Sequence, residues 1–241
     1  MTLGQIPAGP FGVILADPPW RFATFSEKGR GRCPDGKRTN GNGNFVDGLN
    51  NSPERHYATM TLDQIKALPV AESAANNCLL LLWAVDPMIP QALDVGAAWG
   101  FTFKTVGFVW AKERRITSSR GKNVDDPDLK RFPIGTGYWT RSNPEICLLF
   151  TRGKPRRLSA AVRKLLIAPR REHSRKPDEQ YGRIEALVGG PYLELFARQA
   201  RPGWESWGDQ IGKFEPADQC PSVWDDPEVF AFDAEIIPGG D

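Results

Sequence analysis

Asp17-Pro18-Pro19-Trp20 places a carboxylate, two conformationally locked prolines and a flat indole side by side. The four residues follow an apolar run, Val13-Ile14-Leu15-Ala16, that reads as a buried strand. Proline has no N–H to donate, so the pair ends the strand ladder. It also fixes φ, which sets the directions of the Asp17 and Pro18 carbonyls. Such a corner suits a flat ring bearing an exocyclic amine. The ring would stack on Trp20, and the amine hydrogens would go to Asp17 and to a proline carbonyl.

Elements able to hold that corner alternate along the chain. Residues 11–16, 79–85, 105–111, 146–151 and 192–197 read as strands, the second of the buried kind found in parallel sheets. Residues 61–68 read as a short helix with Thr61 as N-cap and Pro69 beyond its end. Residues 87–99 read as a helix closed by Gly100, and 156–166 as a basic helix. The clearest helix is 177–188, with Pro177 at its first position, Asp178 and Glu179 at its positive end, and Gly189-Gly190 stopping it. Strands alternating with helices predict an α/β sheet whose site lies at the C-terminal strand ends, where Asp17 and Arg198 fall. Residues 22–55 and 113–136 read as long polar loops without regular structure.

The chain has 241 residues, 40% hydrophobic and 25% charged, enough for one sizeable core. Its longest apolar run, 78–85, is too short to span a bilayer. The first ten residues show no signal-peptide pattern. Cys33, Cys78, Cys147 and Cys220 form no C-x-x-C pair, and His56 and His173 lack a third ligand at metal spacing, so no metal site is expected. A cytoplasmic location fits this cysteine usage. Net charge is +2, unevenly spread: residues 214–241 hold eight acids and no base, which leaves the preceding 213 residues at +10. Residues 152–176 hold ten Lys or Arg against one acid, Glu172. That block favours a polyanion, although a solvated surface would look the same by charge alone.

Four further blocks follow Asp17-Pro18-Pro19-Trp20 in order. They are His56-Tyr57-Ala58-Thr59-Met60, Gly135-Thr136-Gly137-Tyr138-Trp139, Ser174-Arg175-Lys176-Pro177-Asp178-Glu179, and Leu193-Glu194-Leu195-Phe196-Ala197-Arg198 with Trp207-Gly208-Asp209-Gln210 after it. The series resembles the MT-A family of N6-adenine methyltransferases, which includes the catalytic subunit of eukaryotic messenger-RNA adenosine methyltransferase. The resemblance spans residues 11 to 212 and is closest to a compact bacterial or phage member. It implies a Rossmann-like fold dependent on S-adenosyl-L-methionine, with a mostly parallel sheet, helices on both faces and a permuted motif order. With the charge distribution it divides the chain into a methyltransferase domain over residues 1–213 and an acidic tail over 214–241.

By the same resemblance Asp17, Pro18, Pro19 and Trp20 hold the target base, and Lys176 meets the cofactor's carboxylate. Phe196, Arg198, Gln199, Asp209 and Gln210 surround its adenosine, and Tyr57 lines the active site. Asp209 stands where the best-known members have Asn, which exchanges an amide donor for a charge. Arg170, Arg171 and Arg175 are expected on the nucleic-acid surface with the two long loops, supplying salt-dependent phosphate contacts. Glu194 is either a buried partner of Arg198 or a cofactor contact. The implied reaction is methyl transfer to adenine N6 in DNA. The rivals are the same chemistry on RNA, a cytosine-N4 enzyme, or a catalytically silent partner subunit. A homodimer is compatible with the sequence.

Overall fold

The computed structural model describes residues 4–20, 37–39, 45–47, 60–114, 131–133, 135, 140–172 and 175–214. Tyr57, His56, His173, Ser174, residues 136–139 and most of the two long loops lie outside this set. Within the stretch read as structureless, β2 (Lys37–Thr39) and β3 (Phe45–Asp47) pair antiparallel.

The main sheet has seven strands. They are β1 (Phe11–Ala16), β4 (Ala74–Ala84), β5 (Thr102–Glu113), β6 (Glu145–Arg152), β7 (Leu165–Pro169), β8 (Tyr192–Leu195) and β9 (Trp204–Trp207). Their spatial order is β7-β5-β6-β4-β1-β8-β9. Every neighbouring pair is parallel except the two made by β6, so β6 alone runs backwards. The sheet is therefore mostly parallel, as the alternation of elements implied.

β1 lies between β4 and β8, which explains why it is apolar throughout: neither face meets water. Side chains alternate across the pleat. Ile14, Ala16, Leu80 and Leu82 join one cluster, while Val13, Leu15, Leu81 and Trp83 join the other. The first cluster is covered by α1 (Leu62–Lys66) and α3 (Ile89–Ala98), and α2 (Val70–Ser73) leads into β4. The second is covered by α4 (Glu179–Leu187) through Tyr181 and Ile184. Helices thus sit on both faces.

Local chemistry fixes the helix ends. Thr61 Oγ1 accepts the Gln64 N–H at 3.2 Å while Gln64 Oε1 accepts the Thr61 N–H at 2.9 Å, a reciprocal cap. Gly100, at φ 82°, closes the turn after α3 in a conformation that disfavours side chains.

Three elements depart from expectation. Residues 156–166 form no helix. Their second part begins the edge strand β7, which pairs with β5, and the Leu158 N–H is held by the Leu187 carbonyl at 2.8 Å. Good local helix formers are overridden here because the outer edge of β5 needs a partner. Second, α4 starts at Glu179 with Asp178 as its N-cap, so Pro177 precedes the helix instead of opening it. Third, β9 was not read from the sequence at all: four residues with two tryptophans fall below the length that periodicity can detect.

Candidate active site

The strand directions decide which side chains meet. β1, β8 and β9 all end at one edge of the sheet, and the reversed β6 begins there. The chain passes from β1 toward β4 on one side and from β8 to β9 on the other, so the crevice between the ends of β1 and β8 is a topological switch point. Asp17 is the first residue past β1, Phe196 the first past β8, and Glu145 the first residue of β6.

A recess opens at this edge. Asp17, Lys176, Phe196, Arg198 and Gln199 all line it, five of the residues implied by the resemblance. Asp209 and Gln210 do not line it; they follow β9 beside it, Asp209 exposed and Gln210 accepting from Lys213. Gly208 explains how β9 comes so close. A Cβ there would lie 2.5 Å from the Ala197 carbonyl oxygen, so only glycine fits. Phe196 occupies the left-handed region at φ 64°, uncommon for an aromatic residue and the kind of strain that collects at functional sites. Its ring meets Trp207 edge-on with centroids 5.5 Å apart.

The centre of the site is a chain of buried charges. Lys176 Nζ donates to Asp17 Oδ2 at 2.6 Å and lies 3.2 Å from Glu145 Oε2. Glu145 Oε1 lies 2.7 Å from Lys112 Nζ. The Lys176 side chain is only 7% exposed and sits over the Trp83 ring at 5.4 Å. Burial opposes its charge, but the Asp17 and Glu145 carboxylates outweigh burial and hold its pKa above the ordinary lysine range. Burial would likewise raise Glu145, yet Lys176 and Lys112 bring it down to about 2. Lys176 and Glu145 are therefore set as an ion pair.

On the opposite wall the balance reverses. Burial, reinforced by the charge of Asp17, pushes Glu194 up to about 7. Its carboxyl accepts the Tyr181 hydroxyl at 3.0 and 3.1 Å. The Cys147 thiol, enclosed by the core, is raised well above its usual range and is chemically inert.

Several sequence expectations need correction. Trp20 does not offer an open face. It is 4% exposed, packs in the core cluster with Met60 and Ile65, and donates its indole N–H to the Trp83 carbonyl at 3.0 Å. The two prolines are tied down as well: Pro18 O accepts the Trp20 N–H at 2.8 Å and Pro19 O accepts the Met60 N–H at 3.1 Å. Trp20 thus anchors the turn that carries Asp17. Arg171 and Arg175 are half-buried and ion-paired, where an open basic surface was expected. Arg171 Nη1 donates to Asp178 at 2.5 Å and Nη2 to the Lys176 carbonyl at 2.7 Å. Arg175 lines the recess. Of the three arginines only Arg170 is exposed. Phe214, assigned to the tail, belongs to the fold: its N–H meets the Arg198 carbonyl at 3.3 Å and its ring lies 4.8 Å from the Arg175 guanidinium.

Glu145, Lys112 and Trp83 were missed. Glu145 follows Asn143-Pro144 and opens an apolar run. An acid entering a buried strand was the available signal, but nothing local says that this strand is reversed. Among the described residues no cluster of His, Cys, Asp or Glu could hold a metal, and no helix is long and apolar enough to cross a membrane.

An acidic residue after an inner strand of a Rossmann-like sheet, facing a recess with both charge signs on its walls, defines an α/β ligand site at a switch point. Comparison with known proteins narrows this. The model of the family MT-A70 matches residues 11–210. The type II methyltransferase M.MunI of Mycoplasma sp is 30% identical over 210 residues, covering 86% of this chain and 80% of that protein. The N(6)-adenosine-methyltransferase MT-A70-like protein of Arabidopsis thaliana is 28% identical over 84% of this chain, but only 24% of its own length is covered. For the human N(6)-adenosine-methyltransferase catalytic subunit METTL3 the identity is 26% and the covered share 28%. The chain belongs to the MT-A70 family of methyltransferases. It spans most of the bacterial relative and about a quarter of the eukaryotic ones.

Proposed function

We propose that this protein transfers a methyl group from S-adenosyl-L-methionine to the N6 amine of adenine in DNA. The observation that carries the proposal is Asp17, fixed at the switch point by two tied prolines and by Lys176 at 2.6 Å. The likeness to a type II methyltransferase along most of both chains favours DNA. The relatives named as adenosine methyltransferases make RNA the second reading, over a far smaller share of their length.

The recess suits the cofactor's chemistry. Its walls carry the cations Lys176 and Arg175 and the acids Asp17 and Glu194, as a zwitterionic amino-acid end requires. One buried donor there, Arg175 Nε, has no acceptor among the described residues. Phe196, Arg198 and Gln199 are the proposed adenosine contacts, with Asp209 and Gln210 beside them. Bound S-adenosylmethionine supplies an electrophilic methyl on a sulfonium.

The chain's own residues handle the acceptor. An exocyclic amine is a poor nucleophile because its lone pair is delocalised into the ring. Lys176 takes Asp17 Oδ2, which leaves Oδ1 to accept one amine hydrogen. A proline carbonyl, with its second lone pair, accepts the other. Both contacts favour a pyramidal nitrogen with a localised pair, and positioning supplies much of the acceleration. The Asp17 charge also complements the positive nitrogen that develops. Exposed Arg156, Arg157, Arg163, Lys164 and Arg170 form the proposed phosphate-binding surface.

The test is methyl transfer from labelled S-adenosylmethionine to duplex DNA, single-stranded DNA and RNA in parallel, read by nucleoside mass spectrometry. N6-methyldeoxyadenosine that disappears with Asp17→Ala supports the proposal. Product confined to RNA would replace it with the second reading, and product that survives Asp17→Ala would remove Asp17 from the reaction.

A further inference from the structure

The charge chain that ends at Asp17 begins at Lys112, and Lys112 is held by a side chain that does not line the recess. β5 and β6 pair antiparallel as far as Trp110 opposite Glu145. The same register carried two residues further sets Lys112 opposite Asn143. Pro144 stands between and has no N–H, so the regular ladder stops. The Asn143 carboxamide takes its place. Its Oδ1 accepts the Lys112 N–H at 3.0 Å, and its Nδ2 donates to the Lys112 carbonyl at 3.0 Å. Nδ2 also donates to the Pro133 carbonyl at 2.7 Å, so both amide hydrogens are used. One side chain thus joins the end of β5, the approach to β6 and the segment at Pro133. The same segment meets the two residues after Lys112. Arg131 Nε donates to Glu113 Oε1 at 2.6 Å, and the Arg114 N–H goes to the Arg131 carbonyl at 2.9 Å. Lys112 is therefore clamped through its backbone, and its Nζ reaches Glu145 Oε1, at 2.7 Å, from a fixed root.

We propose that Asn143 is a positioning residue for methyl transfer, one that orients Asp17 through Lys112, Glu145 and Lys176. The inference rests on the reading that Asp17 receives the acceptor amine. Loss of the carboxamide frees the Lys112 backbone where β5 leaves the ladder. Lys112 Nζ then moves off Glu145, and Glu145, no longer shared, draws the Lys176 ammonium away from Asp17 Oδ2. Asp17 loses the contact that decides which of its oxygens faces the amine. The effect falls on orientation and hence on the rate of transfer. Cofactor binding is spared, because Asn143 lies outside the recess. A carboxylate of the same shape cannot replace the amide. It would still accept the Lys112 N–H, but it would turn acceptors on the Lys112 and Pro133 carbonyls.

The experiment measures two quantities on the full chain. One is the single-turnover rate of methyl transfer to the nucleic acid that the parallel assay selects, with both substrates saturating. The other is S-adenosylhomocysteine affinity by calorimetry. Asn143→Ala should slow transfer about 10- to 100-fold and leave the affinity within about twofold. Asn143→Asp is nearly isosteric. It should slow transfer at least as much, and it answers the question if the alanine variant does not fold. Lys112→Met should slow transfer to a similar extent. Adding Asn143→Ala to it should cost no more than about a further twofold, because the route through Lys112 is already cut. An unchanged rate, a rate loss matched by an equal loss of affinity, or losses that multiply in the double variant would each overturn the assignment. If the unaltered protein methylates neither DNA nor RNA, the functional reading itself fails, and the role of Asn143 fails with it.

Discussion

Replacing Glu194 by Gln should stabilise this protein at alkaline pH and leave it nearly unchanged in acid. The folded chain holds the Glu194 proton up to about pH 7, against an ordinary value of 4.5, chiefly because burial disfavours the charge. Below pH 4.5 the carboxyl is protonated in both folded and unfolded chains, and Glu and Gln are alike. As pH rises from 4.5 to 7 the unfolded chain ionises while the folded one resists, so the native state loses relative stability. Above 7 the loss is complete. At about 1.4 kcal/mol per pH unit the difference is on the order of 3 kcal/mol. Glutamine never ionises, and its amide oxygen can still accept the Tyr181 hydroxyl that Glu194 accepts now. For a chain of this size the gain is roughly 5–10 °C in Tm. Thermal unfolding of both proteins at pH 5 and pH 8 reads it directly. A Tm difference that is the same at both values, or a less stable variant at pH 8, would refute the account of Glu194 as a carboxyl strained by ionisation.

Three further outcomes follow from the geometry. Glu145→Gln removes one carboxylate from between two lysines and should destabilise the fold by about 3–5 kcal/mol at pH 7, measured by urea unfolding. Because Glu145 is held down to about 2, its contribution is present above 4.5 and lost as pH falls toward 2, so the deficit should shrink in acid. Gly208→Ala forces a methyl to within 2.5 Å of the Ala197 carbonyl and should cost about 1–3 kcal/mol, with weaker S-adenosylhomocysteine binding as β8 and β9 separate. Neutralising Arg163, Lys164 and Arg170, all exposed, should lower DNA affinity and reduce its log–log salt slope by about 2–3; an unchanged slope would exclude this edge as the phosphate surface.

The corner that carries Asp17 was legible because its chemistry is local. An apolar run followed by Asp17 and two prolines announces a strand end with a carboxylate beyond it, whatever the rest of the chain does. The helix over Tyr181 and Ile184, the Thr61 cap and the Gly100 stop are local for the same reason: each depends on residues three or four apart. The strip 156–166 misled because its composition favours helix, and only the bare edge of β5 required a strand.

Trp20 shows the limit most clearly. Its identity suggested a platform for a flat ring, but whether an indole is a platform or an anchor depends on what covers it, and Met60, Ile65 and the Trp83 carbonyl lie far along the chain. The partner of Lys176 was hidden likewise. Asp17 and Lys176 are 159 residues apart, and Glu145 reaches them only because β6 runs against its neighbours and begins where they end. The sequence alone determined which residues could do chemistry and which elements would carry them, since residue type and short-range periodicity are properties of the chain. Strand direction, burial and the pairing of charges were decided by the tertiary structure, because each depends on contacts between residues that the chain keeps far apart.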